Sequence, residues 1–237
     1  MLKLSLNECF WEIENYGTEL CDRIVCTEEE EVALEKVSSS ACYNNGRYSV
    51  AVPWKKQRHQ LPNNRQMAES RLLSTKRNLE NKEFVEKEYQ TTVETYVEKG
   101  YLRKVPETEA PPPEIWYLPH FPIVKMSKST TKVRIVFDCS ARCNGISLND
   151  IIHAGPRLHR ELFDVLIRFR RNPVALVCNI QERYLQIEIE AEDRPLFRIL
   201  RRDGETDHDP DVCEFSRAVF GKKLSPHASP VCCAGAC

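Results

Sequence analysis

Asn179 closes the apolar run 174–178, VALVC. A carboxylate at the end of such a buried strand is well placed to hold a divalent metal. An amide offers one neutral oxygen and no charge, which suits Mg2+ far less. Further on, TDHDPD spaces Asp207, Asp209 and Asp211 at alternate positions, as metal ligands are often spaced. Its flanks are polar, however, so the stretch reads as a solvated loop. Cations offer a second kind of chemistry. Lys132, Arg134 and Val136 share one face of an alternating stretch, opposite Val133, Ile135 and Phe137. That arrangement fits a clamp on phosphates and equally fits two ordinary exposed cations on a strand. In RLHRELFDVLIRFRRN, residues 157–172, the basic residues, Arg168, Arg170 and Arg171 among them, fit either phosphates or the solvated face of a helix.

Other reactive residue types lead nowhere in particular. Cys232, Cys233 and Cys237 lie near His227 but lack a second well-spaced pair of ligands, and Cys139 with Cys143 does no better. No metal ligand set is therefore assigned. His120 and His153 have no recognisable nucleophile or orienting carboxylate, so both read as structural, and hydrolase chemistry has no support. There is no G-x-G-x-x-G fingerprint and no Walker loop.

The elements that must carry these residues follow from composition and period. Across 237 residues, 34 Lys plus Arg offset 35 Asp plus Glu, so overall charge announces no nucleic-acid partner. No apolar run approaches the roughly 18 residues of a membrane span, and the N-terminus lacks a sustained apolar segment. Eleven cysteines, an odd number at irregular spacings, read as reduced thiols. These features predict an intracellular chain, placed in the cytoplasm, with no membrane partner and no assigned oligomeric state.

Residues 6–13 form a short amphipathic stretch with Phe10 and Trp11. GRYSVAVPW, 46–54, alternates Tyr48, Val50 and Val52 on one side after an Asn-Asn-Gly turn, which predicts a strand. Met67, Leu72, Leu73 and Leu79 allow a helix over 65–79. Val85, Tyr89, Val93, Tyr96 and Val97 predict one over 82–99, capped by Asn81 and ended by Gly100. PETEAPPPE, 106–114, reads as a linker or extended arm. Beyond Trp116, WYLPHFPIVK and TTKVRIVFDCS read as strands. Leu158, Leu162, Val165, Leu166 and Phe169 then make one side of a helix closed by Pro173. Strands follow at 174–178, at 184–189 with Tyr184, Gln186 and Glu188 on one face, and at 197–200. Residues 212–220 suggest one more short element, and the last fifteen residues commit to nothing.

Six segments in one order, WYLPHFPIVK, TKVRIVFDCSA, GISLNDIIHAGPRL, LFDVLIRFRRN, CNIQERYLQI and EDRPLFRIL, resemble the reverse transcriptase region of BEL/Pao long-terminal-repeat retroelement polyproteins. Upstream, FWEIEN, GRYSVAVPW and NNRQMAESRLLSTKRNLE resemble the connector between protease and polymerase in those polyproteins. The resemblance implies an α+β fold: the fingers and partial palm of a truncated right-hand polymerase, preceded by a mixed connector. It divides the chain into a connector at 1–64, a helical segment at 65–105, a Pro-rich linker at 106–115, a partial reverse transcriptase domain at 116–221 and a Cys-rich tail at 222–237.

The parent family is an RNA-directed DNA polymerase that uses Mg2+ and deoxynucleotides on an RNA or RNA/DNA primer-template. The resemblance puts the first metal-binding aspartate of its palm at Asn179. It gives Lys132 and Arg134 to the incoming triphosphate, and Tyr184 to the nucleotide sugar with Gln186 beside it. Arg168, Arg170 and Arg171 fall to template phosphates. No YxDD sequence, the source of the other palm carboxylates, occurs in these 237 residues. The resulting expectation is a non-catalytic fragment that binds no cofactor. The alternatives are a residual RNA or primer-template binding module and a structural or partner-binding fragment.

Overall fold

A computed structural model describes residues 26–44, 46–55, 61–126, 131–156, 162–171, 173–174, 176, 181–202 and 208–219. Helix α1 spans Glu28–Ser40, and a capping box sets its start. The Thr27 hydroxyl accepts from the Glu30 N–H while the Glu30 carboxylate accepts from the Thr27 N–H at 2.9 Å. Strands β1 (Cys42–Asn44) and β2 (Arg47–Val50) form a hairpin whose turn contains Gly46 at φ +77°, a conformation that favours glycine. Helices α2 (Arg65–Leu79) and α3 (Glu83–Glu98) follow, then β3 (Leu102–Lys104) and the hairpin of β4 (His120–Met126) with β5 (Thr131–Phe137). After α4 (Leu162–Phe169) come β6 (Glu188–Ile189), β7 (Arg198–Arg201) and β8 (Asp211–Phe215). Among the described residues the fold is α+β: four helices beside two three-stranded sheets, β1-β2-β6 and β3-β8-β7, and the β4-β5 ribbon.

Several expectations from periodicity hold in the structure. Helix α2 occupies the predicted span. On β5, Ile135 and Phe137 are buried while Arg134 is exposed, as the period of two requires. Val50 and Val52 are buried together, and residues 211–215 supply the extra strand.

Other expectations need correction. Lys82, not Asn81, takes the N-cap position of α3, and no side chain caps it. Tyr184 and Gln186 lie in a 3-10 turn, Arg183–Gln186, rather than on a strand; within 184–189 the strand is limited to Glu188–Ile189. The burial alternation survives nonetheless, because Leu185, Ile187 and Ile189 all reach the core. Val174 and Leu176 belong to no strand and are 74% and 91% exposed, so a buried strand at 174–178 is not present at the described positions. The apolar side of α4 also faces outward. An apolar period identifies which side chains share a face, but burial requires a neighbour to cover it.

The core draws on the whole described length. Val37, Val50, Tyr89, Leu102, Trp116, Phe137, Ile152, Ile189, Phe197 and Val219 belong to one cluster, and the Phe137 and Phe215 rings meet edge-on at 4.8 Å. Segments 26–64, 65–105 and 116–219 therefore share apolar contacts. Buried polar groups tie them further. Asp193 accepts from the Val52 N–H at 2.9 Å and from the Trp54 indole N–H at 2.6 Å. Asn64 clamps Tyr117 by accepting from its N–H at 2.8 Å and donating to its carbonyl at 2.7 Å. The 106–115 segment is anchored as well, since Glu109 receives both terminal nitrogens of Arg103, at 2.8 and 3.0 Å. Among the described residues no helix is long and apolar enough to cross a membrane.

Candidate functional site around Tyr101

Helix α3 ends in a way that delivers one aromatic ring to a charged neighbourhood. Gly100, at φ +69°, donates to the Val97 carbonyl, and Tyr101 donates to the Tyr96 carbonyl, both at 2.9 Å. This pair of reversed bonds is a Schellman ending. The Tyr96 and Tyr101 rings meet across it at 6.3 Å, and the chain turns directly into β3.

Tyr101 is buried, and three cations surround its ring. The Arg47 and Arg217 guanidinium carbons lie 6.0 and 5.9 Å from the centroid, and Lys99 Nζ lies at 5.9 Å. The Tyr101 hydroxyl donates to Glu182 Oε2 at 3.0 Å, and Lys99 donates to Oε1 at 2.6 Å. Glu182 itself sits at φ +52°, a left-handed conformation that costs a non-glycine residue about 1–2 kcal/mol. The two donors hold it there. The hydrogen bond from Lys99 lowers the Glu182 pKa below the ordinary carboxylate value, and the same bond raises that of Lys99.

Arg217 pairs with Glu188, yet its Nε is buried with no hydrogen-bond partner. Arg47 donates to the neutral Gln186 amide oxygen at 3.1 Å. Three cations thus face two carboxylates, Glu182 and Glu188, leaving a positive excess beside a phenol. That surplus of positive charge is complementary to an anion.

The structure brings two of the sequence-derived site residues toward this cluster. Gln186 joins it through Arg47, and Tyr184 lies half-buried on the same 3-10 turn. The others lie on separate elements. Arg134 is exposed on β5, paired with Ile123 of β4, while Lys132 pairs in register with Lys125 and its side chain lies outside the described residues. Arg168 is half-buried on α4 with Nε and Nη2 buried and without hydrogen-bond partners. Arg170 and Arg171 are exposed just past the helix. Asn179 lies outside the described residues, as do Asp207, Cys232, Cys233, Cys237 and His227. Sequence reasoning missed Arg47, Lys99, Tyr101, Glu182 and Arg217. Only the helix-ending Gly100 hinted at where Tyr101 would turn, and its partners come from remote segments.

Remaining groups fall into structural roles. His120 is buried between the Tyr89 and Phe137 rings, each 5.9 Å away, with Nδ1 3.4 Å from the Leu118 carbonyl. Burial lowers its pKa to about 4, so the ring is neutral at pH 7. His153 is lowered by burial and by Lys36 and Lys55. Asp211 pairs with Lys104 at 2.8 Å, and Asp209 is exposed. Neither Cys139 nor Cys143 forms a disulfide with another described residue. Among the described residues no group of three or more His, Cys, Asp or Glu side chains is set to hold a metal. A cleft of about 340 Å³ opens between α2 and β4, with Arg71, Asn78, Lys82 and Phe121 among its walls; it takes in none of the sequence-derived site residues.

The chain matches no family model and no curated protein.

Proposed function

We propose that this chain is a retroelement-derived, reverse transcriptase-like fragment that does not carry out RNA-directed DNA synthesis. The observation that carries this reading is Asn179, which stands where the ordered BEL/Pao-like segments lead to a palm aspartate. Two Mg2+ ions beside a triphosphate need several anionic oxygens held close together. The donors present do not fit that need. Asn179 brings no charge, Asp211 is paired with Lys104, and these 237 residues contain no YxDD. The polymerase-type arrangement of fingers and partial palm belongs to this proposal, and the β4-β5 ribbon with its exposed Arg134 supports it.

The test is primer extension by the purified chain on an RNA template, in Mg2+ and in Mn2+, beside the Asn179→Asp variant. The expected result is no template-dependent incorporation by either protein, because one restored carboxylate is a single ligand of the three required. Incorporation by the wild-type chain would overturn the proposal. Incorporation by the variant alone would show that Asn179 was the whole defect.

A retained capacity to bind RNA or primer-template is a second reading. Its support is the exposure of Arg134, Arg170 and Arg171 together with the positive excess around Tyr101. Binding through phosphates releases counterions and weakens steeply with salt. Filter retention of a labelled RNA at low and at moderate salt measures this, and no retention at low salt refutes it.

A further inference from the structure

The cleft between α2 and β4 is walled by both apolar and charged groups. Arg71, Ser74 and Asn78 stand three and four residues apart, so they share the face of α2 that turns to β4. The Thr75 hydroxyl donates to the His120 carbonyl at 3.4 Å and ties the two elements together. Leu79 and Val85 supply apolar wall from the helices, and Phe121 and Val124 supply it from the strand. At about 340 Å³ the space falls within the range of small-molecule sites. Its charges are not balanced. Arg71 and Lys82 are exposed, and among the described residues neither side chain has an ion pair or a hydrogen bond. Asp138 is the single carboxylate of the lining, and its Oδ1 already accepts from the Ser140 N–H and hydroxyl, at 3.0 and 2.5 Å. His120, whose ring is neutral at pH 7, also lines the cleft, and its Nε2 is buried with no hydrogen-bond partner. A wall residue with a buried, unpaired polar atom is a second feature, apart from charge, that points to a ligand.

We propose that this cleft binds a small amphipathic carboxylate, an organic acid whose apolar body lies against Phe121 and Val124 while its anion meets Arg71 and Lys82. Two cations against one carboxylate leave a surplus of one positive charge, which matches a carboxylate better than a phosphate dianion. The Arg71 guanidinium offers the planar fork that such a group accepts. A nucleic-acid backbone would use the two cations but leave the apolar walls bare. A peptide adding as a further strand needs backbone donors along β4, and Pro122 supplies none. This binding does not depend on the chain being reverse transcriptase-like.

Titration calorimetry of the full chain with naphthoate tests the site. Naphthamide keeps the rings without the charge, and acetate keeps the charge without the rings. The expected result is saturable one-to-one binding of naphthoate, with naphthamide and acetate each at least about ten-fold weaker. Arg71→Ala/Lys82→Ala is expected to weaken naphthoate by about ten-fold or more, the worth of a charge-assisted contact. Arg77→Ala, which removes an exposed cation of α2 outside the cleft, is expected to leave it unchanged. Thermal melting checks that each variant is folded, and the comparison of the three ligands on the wild type needs no variant. Absence of saturable naphthoate binding overturns the proposal, as does binding that naphthamide or acetate matches. Binding that survives the double variant, or that Arg77→Ala weakens as much, overturns it equally. An RNA oligonucleotide that binds through Arg71 and Lys82 where naphthoate does not would assign the cleft to nucleic acid instead.

Discussion

Replacing Glu214 with alanine removes the carboxylate at the centre of a buried charge network. Glu214 lies on β8, the middle strand of its sheet, directly opposite Arg103 of β3 and Arg198 of β7. Oε2 accepts from Arg198 Nε at 2.9 Å, and Oε1 accepts from Arg103 Nε and Nη2 at 3.0 and 2.6 Å. Without Glu214 the two arginines fare differently. Arg103 is partly exposed and keeps Glu109 on both terminal nitrogens, so it loses little. Arg198 is buried, and its remaining carboxylate contact is Glu109 Oε1 at 3.5 Å. Stranding one partner of a buried pair costs about 3–5 kcal/mol. The residual contact puts the expectation near the lower end, about 3 kcal/mol, or a fall in Tm of roughly 10 °C for a chain of this size. Urea denaturation of the wild type and of Glu214→Ala measures the loss. The double variant Arg198→Met/Glu214→Leu removes both buried charges, leaves Arg103 on Glu109, and is expected to recover most of it, since apolar replacement of such pairs is often neutral. A single-variant loss below about 1 kcal/mol, the range of exposed pairs, would refute the reasoning. So would a double variant whose loss is the sum of the two singles.

His120 makes stability depend on acidity. Its folded pKa is near 4, below the unfolded value of about 6.5, so its contribution is complete above pH 6.5 and is lost as pH falls through 4. The loss is on the order of 3 kcal/mol, and His120→Phe is expected to flatten the stability profile across that window; an unchanged profile counts against it. Glu182 titrates with the same sign, its stabilisation disappearing as acid protonates it off Lys99 and Tyr101, and a Lys99→Met variant should shrink that acid-dependent part. Asn64→Ala strands the buried N–H and carbonyl of Tyr117 and is expected to cost about 2–4 kcal/mol in urea unfolding. Arg134→Glu is expected to leave urea unfolding nearly unchanged while weakening RNA retention at low salt. Equal retention by the variant removes β5 from the binding surface.

Local period was enough to locate several elements. Helices α2 and α3 were legible because their apolar residues repeat at helical spacing, and the Schellman ending of α3 was announced by Gly100. The alternation of 131–137 was legible for the equivalent reason in strands. At 184–189 it correctly named the inward residues although much of the backbone is a 3-10 turn. Gln186 and Tyr184 were singled out through the family resemblance, whereas the cluster that receives Gln186 was not. Tertiary structure alone decided that β2 runs parallel to β6, that Glu214 stands between two arginines, and that Arg47, Lys99 and Arg217 converge on Tyr101. It also left Val165, Leu166 and Phe169 of α4 exposed, where period alone had placed them on one side of the helix. The physical reason is common to all of these. Periodicity is a property of neighbouring residues and fixes which side chains share a face. What covers that face, or which charge meets it, depends on contacts between segments far apart in the chain, and a local pattern does not encode them.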